Sequence, residues 1–121
     1  MDDSPAIIVA DPGGVIRVWN EGAEQLLGHR ASDAIGQKLD IIVPERYRSA
    51  HWNGFGGAME RRAVKNDDLH GNLPLIRSDG SEAHYPGRLV FLRDALGNAV
   101  GAMGIFSSNE NVENNGLMTI P

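Results

Sequence analysis

Two short apolar runs around a four-residue turn constrain this chain most. Ala6-Ile7-Ile8-Val9-Ala10 is followed by Asp11-Pro12-Gly13-Gly14, then by the β-branched and aromatic run Val15-Ile16-Arg17-Val18-Trp19. Such runs around a Pro/Gly turn read as a β-hairpin. The far end carries three more strand-like runs, residues 73–77, 83–92 and 99–107, divided by turns at Ser78-Asp79-Gly80 and at residues 94–98. Pro74 and Pro86 are awkward in central strands and point to edges or bulges.

The middle of the chain reads as helical. Asn20 is a good N-cap, Ala23, Leu26 and Leu27 recur at helical spacing, and Gly28 stops the helix. Ser32 is a second candidate cap for a short turn through Ala34 and Ile35, closed by Gly36. Residues 39–43 are apolar and suit strand or helix. Pro44 suits a first helical position, so residues 44–62 read as the longest helix. Tyr47, His51, Phe55, Ala58 and Met59 share one face of it. Gly54, Gly56 and Gly57 each weaken it by roughly 1 kcal/mol relative to Ala, so it needs tertiary support. Residues 64–72 are polar and loop-like. The order ββαααβββ implies an α+β fold, a five-stranded antiparallel sheet covered by helices on one face.

At 121 residues the chain suits one domain, expected over residues 6–108 after a short extension at 1–5. Residues 109–121 begin with Asn-Glu-Asn-Val-Glu-Asn-Asn and read as a polar linker or disordered tail. The absence of cysteine excludes disulfides, thiolate zinc sites, thiol nucleophiles and cysteinyl cofactor adducts. A net charge of −5 argues against a nucleic-acid or membrane surface. The small cluster Arg61, Arg62 and Lys65 reads as favourable charge at a helix C-terminus. No apolar run spans a bilayer and residues 1–5 lack a signal-peptide pattern, so a cytoplasmic location is expected. His29, His51, His70 and His84 have no metal-ligand spacing, Ser49 and His51 point to different helix faces, and no nucleophile elbow occurs. The chain is therefore expected not to be an enzyme.

The whole body resembles a PAS domain. The resemblance is carried by Val9-Ala10-Asp11-Pro12-Gly13-Gly14-Val15-Ile16, Trp19-Asn20 with Ala23-Glu24-Gln25-Leu26-Leu27-Gly28, Ala34-Ile35-Gly36-Gln37, Val43-Pro44-Glu45-Arg46, Arg77-Ser78-Asp79-Gly80-Ser81 and Gly97-Asn98-Ala99-Val100-Gly101, in the family's order. It implies a sensory module, commonly homodimeric, that binds a small ligand or cofactor. Such a module relays its signal to an output domain outside this chain, a DNA-binding transcription regulator or a histidine kinase. The family's Asp-x-Thr motif after the last strand is replaced by Ser107-Ser108-Asn109-Glu110, which weakens kinase-type coupling.

The expected pocket is formed by Tyr47, His51 and Phe55 on the long helix and by Leu75, Leu89, Phe91, Met103 and Ile105 on the strands. His51 follows a Pro-Glu stretch much as the iron ligand does in oxygen-sensing haem PAS kinases. The resemblance thus implies haem b with His51 as axial metal ligand as one alternative. Those sensors carry an Arg on the next strand, where this chain reads His70-Gly71-Asn72. Flavin is disfavoured, because a photoreactive flavin site needs a cysteine and the expected lining is apolar. A ligand-free interaction or dimerisation module with a filled core is the other alternative. Trp52, off the apolar helix face, is a candidate partner surface.

Overall fold

The structure is a computed structural model and describes residues 4–60 and 68–108. Its strands are β1 (Ala6–Ala10), β2 (Ile16–Trp19), β3 (Asp68–Ile76), β4 (Glu82–Arg93) and β5 (Ala99–Phe106). They form one antiparallel sheet in the order β2-β1-β5-β4-β3. β1 pairs with β2 on one side and β5 on the other, so the N-terminal hairpin and the C-terminal strands share a sheet. The helices α1 (Glu21–Leu27), α2 (Ala31–Ala34) and α3 (Arg48–Glu60) lie between the hairpin and β3 in the chain.

Local chemistry explains the N-terminal half. The Asp11 carboxylate accepts from the backbone N–H groups of Gly13 and Val15 at 2.9 and 3.0 Å, which closes the hairpin turn. Asn20 Oδ1 accepts from Ala23 at 2.9 Å, capping α1, and from Ile7 at 2.8 Å, tying that cap to β1. Gly28 ends α1 in the left-handed region at φ +89°. The next carbonyl inward, on Leu27, accepts from Ser78 in the β3–β4 turn at 2.7 Å, so the helix end docks on the far hairpin.

Three expectations change, and one choice left open by the sequence is settled. Ser32 lies inside α2, which starts one residue earlier. Its first N–H, on Ala31, donates to the Glu24 carboxylate of α1 at 2.7 Å, so the cap comes from another helix. Residues 39–43 contain a 3-10 turn, Leu39–Ile42, rather than a strand. The long helix begins at Arg48, preceded by a separate 3-10 turn at Glu45–Tyr47. Finally, β3 begins at Asp68, where residues 64–72 read as loop. Asp68 and His70 face outward, and Arg88 of β4 donates to both Asp68 oxygens at 2.8 and 2.7 Å. Leu69, between them, is buried. The rest of that loop, and the cluster Arg61, Arg62 and Lys65 expected at the helix end, lie outside the described residues.

Both prolines find tolerant places. Pro74 is on β3, an edge strand. Pro86 is on an interior strand, but the β4–β5 ladder starts one residue later at the Gly87–Phe106 pair. Its missing N–H therefore leaves no ladder partner unpaired on that side.

Candidate functional site

Strand parity decides what faces the helices. Ile8, Gly104 and Leu89 are cross-strand partners, as are Ala10, Ala102 and Phe91. Successive side chains of a strand point to opposite faces, so these residues share one face. That face is built small along β5, with Ala102 and Gly104, and large at its end, with the buried Phe106. A side chain at Gly104 or Gly87 would run into the Phe106 ring, so both glycines are held by close packing. Against this hollowed face stand α3 and the 3-10 turns, and between them is a cavity of about 520 Å³.

Tyr47, His51, Phe55, Leu75, Leu89, Phe91 and Met103 border this one cavity. Ile105 does not, which corrects the expectation. Ile105 pairs with Ile7 and Arg88, one residue out of phase with Gly104 and Phe106, and so belongs to the outer face. Met103 shares that outer parity, although it borders the cavity. The difference has a physical origin: bulk in mid-strand suggests an inward face, whereas a strand that makes room for a cavity turns its small residues inward. Ala102 and Gly104 on β5 escape the sequence reading for that reason; Gly54, on α3, escapes it because a glycine carries no apolar side chain to mark a wall. Leu39, Ile42 and Val43, also in the wall, were missed because no helical or strand period marks a 3-10 turn.

Residues 4–108 match the family described as the PAS fold. The chain belongs to the PAS family of sensory domains. Forty-six residues are 44% identical to the Sensor protein FixL of Bradyrhizobium diazoefficiens, covering 38% of this chain and 9% of that protein. The chain spans about a tenth of the length of the curated relatives it matches. The PAS domain of a protein from Colwellia psychrerythraea is similar at 26% identity and a TM-score of 0.72, over 84% of this chain and 83% of that one. The PAS domain of the Cronobacter turicensis quorum-sensing receptor RpfR, in complex with BDSF, matches at 15% identity and a TM-score of 0.67. That match covers 88% of this chain and 94% of that one, and it is a likeness of fold.

His51 is the chemically distinctive wall residue of this PAS domain. Its ring stacks on Phe55 at 5.8 Å between centroids and meets Trp52 edge-on at 4.8 Å. Its Nδ1 is sealed from solvent and has no hydrogen-bond partner. Burial pushes the imidazole below its ordinary pKa, and the Asp40 carboxylate only partly opposes this, so the ring is neutral at pH 7. Trp52 is half-buried rather than a free surface. Its indole N–H donates to Asp40 Oδ1 at 2.7 Å, Lys38 Nζ lies 5.5 Å from its ring centroid, and Gly14 packs directly on the ring. Trp52 thus joins α3 to the N-terminal hairpin. Arg46, whose guanidinium covers the Tyr47 ring at 4.5 Å, forms a two-pronged pair with Glu82 at 2.8 and 2.5 Å. This pair ties the segment ahead of α3 to the start of β4.

Among the described residues, no group of three or more His, Asp or Glu side chains could hold a metal ion. No described helix is long and apolar enough to cross a membrane.

Proposed function

We propose that this is a non-catalytic sensory PAS domain that takes a small molecule between its sheet and α3 and relays occupancy to an output domain outside this chain. The observation that carries the reading is the cavity of about 520 Å³, a size usual for small-molecule sites. A filled core, as an interaction-only module would have, does not accord with it. The binding residues are Tyr47, His51, Phe55, Leu75, Leu89 and Phe91, with Met103 at the margin.

The relay needs an element with two states whose balance the ligand shifts. α3 is that element. It supplies His51 and Phe55 to the wall, and Gly54 and Gly56 leave its backbone weakly held. Phe106 is the second element: it borders the cavity and is the last residue of β5, where the chain leaves the sheet. A ligand that presses on Phe106 acts directly on the exit to residues 109–121. The output domain is a DNA-binding regulator or a histidine kinase, and the domain works in the cytoplasm without contacting nucleic acid or membrane itself. Homodimerisation would use the outer face of the sheet, where Ile7, Val9, Val90 and Ile105 are only partly buried.

Haem b is the second reading, favoured by a neutral imidazole at the cavity wall. The wall does not fit haem as a whole. His51 supplies an axial donor, but among the described residues no Lys or Arg borders the cavity to meet the two propionates. Thermal-shift screening of a metabolite set tests the main reading: at least one compound should raise the melting temperature in a concentration-dependent way. Absence of any stabiliser, with haemin included, counts against a sensory cavity. A Soret band on adding haemin, lost in His51→Ala, would establish haem instead.

A further inference from the structure

The wall of the cavity carries information about charge. Among the described residues that border it there is no Asp, Glu, Lys or Arg. Its polar side chains are Tyr47, Asn72 and His51. Tyr47 is 37% exposed and lies under the Arg46 guanidinium, and Asn72 already has a partner in the fold. His51 is different. Its ring borders the cavity beside Phe55 and Trp52; Nδ1 is enclosed beyond a ligand's reach, and Nε2 is the accessible, unpaired nitrogen. Asp40, the acid whose charge reaches the ring, is already bonded to the Trp52 indole.

We propose that the cavity selects an uncharged, largely apolar molecule with one hydrogen-bonding group, and that this group pairs with the His51 imidazole. The inference rests on the reading of the cavity as a ligand site and adds the ligand's chemical class. A charged group entering this space loses its water and finds no opposite charge, which is among the costliest transfers in a protein. A neutral hydroxyl loses far less. It both donates and accepts, so it can pair with either tautomer of a neutral imidazole. The aromatic and aliphatic wall then accommodates the remainder by apolar burial.

Four probes of one skeleton test this by isothermal titration calorimetry at pH 7.5: 1-methylnaphthalene, 1-naphthalenemethanol, 1-naphthoate and 1-naphthylmethylammonium. The alcohol should bind at least about a hundredfold more tightly than either ion. In His51→Phe the alcohol should weaken by about tenfold relative to the hydrocarbon. Comparable binding of the naphthoate or the ammonium overturns the charge selection and leaves the ligand-site reading standing. An equal change for alcohol and hydrocarbon in the variant overturns the pairing with His51. If none of the four binds, the inference fails, and the thermal-shift screen alone decides the ligand-site reading. The comparison of ions with alcohol uses the unmodified protein, so it decides the charge question even where His51→Phe does not fold.

Discussion

Replacing Gly54 and Gly56 by Ala should stabilise this domain, and the structure allows the gain to be worked out. Both lie in the interior of α3, which runs from Arg48 to Glu60. Neither has a positive φ among the described residues. A Cβ built at either position meets nothing within 4 Å. The steric penalty is therefore absent, and what remains is the entropy that glycine loses in a helix. Gly to Ala in a helix interior contributes about 0.8–1 kcal/mol, so the pair should add about 1.5–2 kcal/mol. For a domain near 100 residues this corresponds to a rise in melting temperature of roughly 6–15 °C. Circular dichroism melts, with urea midpoints as a second measure, read the change. The two sites differ in one respect: Gly54 borders the cavity and Gly56 does not. Gly56→Ala should leave ligand affinity alone, whereas Gly54→Ala adds a methyl group beside the ligand space and should alter it. A loss of stability in Gly56→Ala would refute the reasoning, because it would mean that some group approaches that face of α3.

Leu75→Ala removes a wall residue that is 1% exposed and should cost about 2–3 kcal/mol by urea denaturation. The low end applies because the side chain already borders empty space; a cost below about 1 kcal/mol would show that the wall collapses inward. Gly28→Ala should cost more than about 1 kcal/mol, since φ is +89° and the new methyl meets the Ser78 side chain; a neutral result would mean that α1 ends otherwise. The pH dependence follows from His51, whose folded pKa lies below its ordinary 6.5. As pH falls through 6.5 the unfolded chain takes up the proton first, so stability present above that pH is lost progressively below it. His51→Phe should show a smaller drop in melting temperature between pH 7.5 and 5.5 than the unmodified protein, and parallel curves would remove the buried neutral imidazole from the account.

Much of the fold was legible in local chemistry. Asp11-Pro12-Gly13-Gly14 specifies a turn by itself, because an Asx carboxylate and glycines satisfy the backbone there without help from elsewhere. Asn20 and Gly28 bound α1 by contacts with their own helix, and the spacing of Tyr47, His51 and Phe55 already placed them on one face. Where the sequence misled, the missing partner was distant. Glu24 caps α2 from another helix, Arg88 makes a strand of the polar Asp68–Asn72 stretch, and Asp40 draws Trp52 inward.

The sequence by itself determined the five strands' existence, their short connections and the helical stripe that carries His51, since these depend on turn residues and periodicity within a few positions. Only the tertiary structure decided which face of β5 looks inward. A shift of one residue in strand parity exchanges Met103 and Ile105 for Ala102, Gly104 and Phe106. That exchange turns a face of bulky side chains into a hollow one, and the energy that selects it lies in packing between β1, β4 and α3 rather than in any local run of the chain.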